Sequence, residues 1–241
     1  MKQQKNQPVG QLIYGAHPLI EALKAKKRKI ISIYTTKPVP KIWCEVEKYL
    51  PARGVSIQYV LPQVLDKMAE TKDHQRIIAW VGSLVIRKKF FDPKKQPLLL
   101  MLDGIQDPRN LGAILRSAYC TGIDGVIITK RGSAPLNAAA IKSSAGLSEH
   151  LDLFVAPSAQ AAAQLLNDAG YNIYLATLNG VDATKQEYKK PLCLVIGGEG
   201  FGITHTIFKY GMQITLPQRT PDISYNASVA AGILLFFISN S

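Results

Sequence analysis

The sequence has no long hydrophobic run. Its longest apolar stretch, Val229 to Ile238, is shorter than the ~20 residues a helix needs to cross a bilayer. The N-terminus, Met1-Lys2-Gln3-Gln4-Lys5, lacks the apolar core of a secretory signal. These two absences predict a soluble cytoplasmic protein with no membrane partner. Cysteine is scarce as well: Cys44, Cys120 and Cys193 are far apart, odd in number and outside any CxxC. Each has apolar neighbours, so reduced thiols in the core are expected, not a disulfide framework. His17, His74, His150 and His205 show no ligand spacing such as HxxxH, and no metal site is expected. Charged residues make up only 19% of the chain and hydrophobic ones 47%, which excludes a disordered polyelectrolyte. The 241 residues suffice for one large domain or two small ones.

The charge that is there is unevenly placed. The formal net charge is +12, and residues 1–96 carry 19 Lys and Arg against 7 Asp and Glu, while residues 97–241 carry 10 of each. The excess concentrates at Lys24, Lys26, Lys27, Arg28 and Lys29, and again at Arg87, Lys88, Lys89, Lys94 and Lys95. Such an asymmetry points to a polyanionic partner, because cations that neutralise phosphates release condensed counterions. RNA or DNA fits better than an anionic membrane, since no basic amphipathic helix carries a large aromatic face.

Two blocks alternate strand and helix patterns. In the first, helices are predicted over Pro18–Ala25, Lys41–Leu50 and Pro62–Glu70, with strands over Ile30–Thr35, Ser56–Leu61 and Ile77–Val81. The second block has strands at Leu98–Leu102, Gly125–Thr129, Asn172–Thr177, Leu192–Ile196 and Gln213–Leu216. Helical stretches between them are Leu111–Thr121, Asn137–Gly146, Ala159–Ala169 and Ala227–Ile238. Short continuous apolar strands separated by helices predict an α/β fold with a parallel sheet covered on both faces. The expected organisation is a basic tail over 1–11, a small α/β domain over 12–84, a basic proline-containing linker over 85–96 and a larger domain over 97–241.

Ligands on such sheets bind beyond the carboxyl ends of the strands, and three post-strand loops carry suitable residues. The first is Asp107-Pro108-Arg109-Asn110-Leu111-Gly112-Ala113-Ile114-Leu115-Arg116-Ser117-Ala118, a turn leading into a helix that starts near Leu111. Read alone, Asn110 could be an N-cap and Arg116 a solvated helix residue. The second is Gly197-Gly198-Glu199-Gly200-Phe201-Gly202, directly after a buried strand. Its glycines allow close backbone approach to a ligand, but neither the spacing nor Glu199 suits a pyrophosphate. Adenosine held by backbone groups suits it better. The third runs from Leu216-Pro217 through Thr220 to Ser224-Tyr225-Asn226-Ala227-Ser228-Val229, where a helix rich in small residues begins. Ser224 and Asn226 could each be only a cap.

Taken together and in this order, the DPxNLGAxxRSA, GxEGxG and LP…SxNxSVAxGI patterns resemble the motifs of the SpoU/TrmH family of RNA ribose methyltransferases, within the SPOUT superfamily. The resemblance covers residues 98–238. It reaches more loosely to Tyr14-Gly15-Ala16-His17-Pro18 and His74-Gln75, which are similar to the small substrate-binding domain of these enzymes. Among subgroups it is nearest to those that methylate a 23S rRNA guanosine. It implies a deep trefoil knot in the C-terminal domain, which general topology rules argue against. It also implies S-adenosylmethionine as cofactor, RNA as substrate and a homodimer whose active site draws on both chains. Carried over by position, Asn110, Arg116, Glu199, Ser224 and Asn226 are the catalytic set. Gly197, Leu216 and Tyr225 hold the methyl donor through their backbones, with Gly198, Gly200, Pro217 and Ala227 beside them. Two departures stand out: Tyr225 replaces the usual leucine, which a backbone hydrogen bond tolerates, and Thr220 stands where relatives often have glycine, which bears on substrate fit. Competing readings keep the chemistry on a tRNA loop or another rRNA site, or reduce the chain to a non-catalytic RNA-binding assembly factor. A nucleotide-dependent dehydrogenase rests on fold analogy alone.

Overall fold

The computed structural model describes residues 10–220 and 224–240. Most of the expected basic tail, and Pro221, Asp222 and Ile223 of the third loop, lie outside the described residues. The chain divides into two compact units. One contains residues up to Val85 together with Asn137–His150, the other Ile86–Leu136 and Leu151 onward.

The first unit is a four-stranded sheet in the order β1 (Gln11–Tyr14), β4 (Ile77–Val81), β2 (Ile30–Thr35), β3 (Ser56–Tyr59). β4 runs antiparallel to both of its neighbours, and β2 and β3 are parallel. Helices α1 (Ala16–Ala25), α2 (Trp43–Glu47) and α3 (Pro62–Ala69) connect the strands. Proline at the first turn of α3 sacrifices an N–H that would have no helical partner. The Tyr14–Pro18 and His74–Gln75 segments meet here. Gly15, at φ 96°, donates its N–H to Ile77, and Gln75 Oε1 accepts from Ala16 N at 3.1 Å.

Residues 137–150, which include helix α5 (Ala138–Ser143), belong to this unit for a specific reason. The Arg28 guanidinium forms a fully buried two-pronged pair with Glu149, its Nε 2.9 Å from Oε2. His150 Nε2 lies 2.7 Å from Glu21 Oε2. Arg28 is therefore not part of a solvent-facing basic run, whereas Lys24, Lys26, Lys27 and Lys29 are exposed.

The second unit holds a six-stranded, all-parallel sheet in the order β10 (Met212–Thr215), β8 (Asn172–Asp182), β9 (Leu192–Gly197), β5 (Leu98–Asp103), β6 (Gly125–Thr129), β7 (Leu153–Ala156). Every residue of β5 and β6 is buried, as expected for central strands covered on both faces. Leu99, Met101, Ile127, Cys193 and Val195 form one core with α6 (Ala159–Asp168), including Ala162, Ala163 and Leu166. The alternate residues Leu100, Leu102, Leu194 and Ile196 are buried on the other face. There α7 (Ala227–Ser239) packs against β9 and against α4 (Pro108–Cys120).

The basic stretch read as a linker packs as part of this second unit. Ile86 bridges Leu153, Arg87 pairs with Asp152 at 2.8 Å, and Phe91 is buried in the core. The thiol expectation needs correction. Cys193 is in the core, and burial pushes its pKa up, but Cys44 and Cys120 are exposed. Cys120 is the last residue of α4, where the apolar stripe has turned away from solvent and left it outside.

Candidate active site

All three motif loops lie at the carboxyl edge of the parallel sheet. The first follows β5. Asp107 caps α4, its carboxylate accepting from Arg109 N at 2.7 Å, and Pro108 opens the helix. Asn110 is thus inside the first turn and not the cap. That leaves its amide free to reach across to the second loop.

The glycine loop after β9 is folded onto its own backbone. Gly198 donates to the Asp103 carbonyl at 2.8 Å and pairs with Gly202, and the buried Asp103 carboxylate accepts from Thr204 N at 2.8 Å. A Cβ on Gly197 would collide with the backbone of Gly202 and Ile203, and one on Gly198 with the carbonyl of Gly104. These two glycines are required by close approach of the protein to itself, where the sequence alone suggests close approach of a ligand. Gly202, at φ 63°, is required by its left-handed backbone.

The loop holds Glu199 against the first motif. Asn110 Nδ2 donates to Glu199 Oε1 at 2.7 Å, and Gln106 N donates to Oε2 at 3.1 Å. Asn226, the cap of α7, donates through Nδ2 to Asn110 Oδ1 at 3.2 Å. Its own Oδ1 accepts from Ser228 N at 2.9 Å and from Ser228 Oγ at 2.6 Å. The cap fixes which way the Asn226 amide faces, and the acceptor-only carboxylate fixes Asn110, so the whole chain has one consistent orientation. Partial burial works to raise the Glu199 pKa, but the hydrogen bonds from Asn110 and Gln106 outweigh it and hold the carboxyl below its ordinary value. Glu199 is therefore an ionised acceptor at neutral pH.

A cavity of about 630 Å³ opens beside this chain. Gly197, Gly198, Glu199 and Gly200 line it from the second loop, and Leu216, Ser224, Tyr225, Asn226 and Ala227 from the third. Pro217 is not on the wall; its carbonyl accepts from the Tyr225 hydroxyl at 3.3 Å, a closure that leucine could not make. Ser224 lines the cavity but has no hydrogen bond to the Asn110–Glu199–Asn226 chain among the described residues. Arg116 is not brought to the cavity. It is exposed on α4, nearly two turns past Asn110, on a different side of the helix from the stripe of Leu111, Ile114, Leu115 and Ala118. Sequence reasoning missed the clamp at Asp103, the Gln106 N–H and the cavity wall at Leu178 and Asn179, which the extension of β8 beyond Thr177 supplies. The Asn179-Gly180 pair reads as a turn and hides that extension.

The SpoU rRNA methylase family matches residues 97–236, and the RNA 2'-O ribose methyltransferase substrate-binding family matches residues 12–84. The chain belongs to the SpoU rRNA methylase family. It is 33% identical to the 23S rRNA (guanosine-2'-O-)-methyltransferase of Haemophilus influenzae, over 94% of this chain and 96% of the relative. The enzyme of the same description from Photorhabdus laumondii is 34% identical over 95% and 97%. The AdoMet-bound rRNA methyltransferase of Sinorhizobium meliloti superposes with a TM-score of 0.81 at 21% identity, covering 100% of this chain and 90% of the other. At that identity the likeness speaks for the SpoU fold alone. Among the described residues no helix is long and apolar enough to cross a membrane.

Proposed function

We propose that this SpoU-family chain transfers a methyl group from S-adenosylmethionine to a ribose 2'-hydroxyl of ribosomal RNA, with a 23S rRNA guanosine as the target. The observation that carries this reading is the neutral Asn226–Asn110 pair, anchored on the ionised Glu199 at the mouth of a cavity whose wall has no Lys or Arg among the described residues.

The cavity fits S-adenosylmethionine by size and chemistry. Its volume lies in the ligand-pocket range of ~300–1,000 Å³. Without Lys or Arg it is unsuited to a polyphosphate, while its single carboxylate suits a cationic ligand. Ile196, Ile214 and Leu234 offer apolar surface to a base, and the backbones of Gly197, Leu216 and Tyr225 offer hydrogen-bonding groups. Bound there, S-adenosylmethionine supplies an electrophilic methyl group on a sulfonium sulfur.

The chain's own residues then position the acceptor hydroxyl, whose proton passes to the adjacent RNA phosphate or to water as the oxygen takes the methyl group. Asn110 and Asn226 are neutral hydrogen-bonders already fixed in orientation, and alignment of reactants can contribute ~7–11 kcal/mol. Glu199 stays charged because Asn110 Nδ2 and Gln106 N hold it so; its role is to fix Asn110. Arg116, a permanent cation, holds the adjacent phosphate and stabilises developing alkoxide charge. Its distance from the cavity is resolved if the active species is a homodimer in which the second copy supplies Arg116. Exposed Tyr119 on α4, and Val229, Phe236 and Phe237 on α7, give such a dimer an apolar contact surface. A threaded, knotted path for the third motif belongs to the same reading.

Mapping 2'-O-methylation across rRNA and tRNA, with and without the protein, tests the proposal. Loss of one rRNA mark is expected. A mark lost from tRNA would move the substrate, and S-adenosylmethionine binding with no mark lost would favour an assembly factor.

A further inference from the structure

Beyond the methyl-donor cavity, the glycine loop has a second cavity of about 650 Å³ on its other side, lined by Gly198, Gly200, Phe201 and Gly202, which it shares with the first. We propose that this second cavity receives an unpaired nucleotide of the RNA substrate, its base stacked on Phe201 and its phosphate at Arg131. The inference rests on the RNA-methylation reading and adds to it the subsite that presents the acceptor.

Phe201 is the first observation. Its side chain is 90% exposed, the most exposed large hydrophobic group among the described residues. Glycines flank it on both sides. A Cβ on Gly200 or Gly202 would meet nothing within 4 Å, so the ring stands alone at the loop tip. The loop is tied at its two ends, Gly198 N donating to the Asp103 carbonyl and Thr204 N to the Asp103 carboxylate. An uncovered aromatic face on a loop tied at both ends is a stacking platform, and stacking accepts any base.

The second observation is the character of the cavity. Its walls carry the hydrogen-bonding side chains of Gln106, Gln160, Thr204 and Thr206 and one cation, Arg131. Its one carboxylate, Asp103, is buried and engaged with Thr204 N. The methyl-donor cavity has the opposite set, with a carboxylate and no Lys or Arg among the described residues. One side of the loop thus suits a cation and the other an anion with polar edges, as a sulfonium donor and a nucleotide acceptor require. Continuity with the reacting groups comes through Gln106, which lines the second cavity and donates its N–H to Glu199.

The test uses the full-length protein and rRNA isolated from cells lacking it. Four proteins are compared: wild type, Phe201→Ala, Phe201→Tyr and Arg131→Ala. Three quantities are measured: S-adenosylmethionine affinity by calorimetry, rRNA affinity with S-adenosylhomocysteine bound, and the RNA concentration giving half-maximal single-turnover rate. Phe201→Ala is expected to raise the half-saturating RNA concentration roughly 5- to 100-fold, with any change in methyl-donor affinity much smaller than that and Phe201→Tyr close to wild type. Arg131→Ala should weaken RNA binding and lower its salt slope by ~0.7. The proposal is overturned if Phe201→Ala matches wild type, if it loses methyl-donor affinity instead (the ring then covers the first cavity), or if Phe201→Tyr is as impaired as Phe201→Ala. A wild-type protein that binds rRNA without methylating it refutes the activity, and the binding measurements still decide the subsite.

Discussion

At the scale of single residues, the site is a chain of hydrogen bonds that fixes how the Asn110, Asn226 and Glu199 side chains face. Asn110 sits between an acceptor, Glu199, and a donor, Asn226. Removing its side chain takes away both bonds, and with them the amide proposed to align the acceptor, without touching the wall of the methyl-donor cavity. Asn110→Ala is therefore expected to lower the single-turnover rate by ~10²–10³, as loss of one preorganised donor does elsewhere, with methyl-donor affinity little changed; a near-normal rate would remove Asn110 from the mechanism. The same substitution has an electrostatic consequence. Burial raises the Glu199 pKa and hydrogen bonds lower it, with a net depression. Whatever these bonds add to the folded state is therefore present above the ordinary carboxyl pKa and lost as pH falls through the lower, folded value. In wild type the Asn110 side-chain amide resonance should titrate with a midpoint below 4.5, the reference from which Glu199 is lowered. In Asn110→Ala the Glu199 carboxyl resonance should titrate higher. An unchanged midpoint would mean that Asn110 does not hold the charge. Sequence could nominate Asn110, Glu199 and Asn226 as residues, but not their bonding, because that depends on where three separate loops meet.

At the scale of elements, long periodic or continuous apolar segments are legible to the residue. Ile30–Thr35, Ile77–Val81 and Gly125–Thr129 are strands over the expected spans. What escapes is short or edge-like. β1 and β7, four residues each at a sheet edge, escape altogether, and the equally short edge strands β3 and β10 are found with shifted bounds. The helix expected over Lys41–Leu50 shrinks to five residues, Trp43–Glu47, with only Trp43 and Val46 buried. The apolar stripe sets the start of α4 too late, at Leu111, whereas the Asp-Pro cap begins the helix three residues earlier. The glycine loop gives the sharpest element-scale prediction. Gly198→Ala forces a Cβ into the Gly104 carbonyl, while Gly200→Ala meets open space. The first should destabilise the protein by ~1–3 kcal/mol, the usual cost of overpacking, and abolish methyl-donor binding. The second should leave the melting temperature near wild type. Thermal unfolding and calorimetry on the pair would show it, and equal behaviour would mean the loop is not clamped as described.

At the scale of the whole molecule, two features require more than one site to be considered together. The first is Arg116, distant from the cavity within its own chain. If a second copy supplies it, mixing inactive Arg116→Ala with inactive Asn226→Ala should restore about a quarter of wild-type activity, since half the dimers are mixed and one of their two equivalent sites is intact. No recovery, or an active monomer at micromolar concentration in sedimentation, would put Arg116 in the chemistry of its own chain or outside it. The second feature is charge. By sequence halves, the entire excess lies before residue 97. By compact units it does not. The first unit carries 15 Lys and Arg against 7 Asp and Glu, and the second 14 against 10, because Arg87, Lys88, Lys89, Lys94 and Lys95 belong to the latter. The packing of residues 137–150 in the first unit also argues against testing the idea on a fragment. Cutting the chain near residue 97 would part Glu149 from Arg28 and His150 from Glu21, and leave residues 137–150 without the unit to which they belong. Charge neutralisation in the full chain avoids that. Replacing exposed Lys26, Lys29, Lys37 and Lys41 by Gln should lower the slope of log RNA affinity against log salt by up to ~3, at ~0.7–0.9 for each phosphate left without its cation. Replacing Lys88, Lys89, Lys94 and Lys95 should lower it less, because the first unit holds the larger excess. Methyl-donor affinity should not move in either variant. If the first set leaves the slope unchanged and the second lowers it, RNA is recruited by the catalytic unit's own basic segment, and the N-terminal sheet serves something other than bulk attraction.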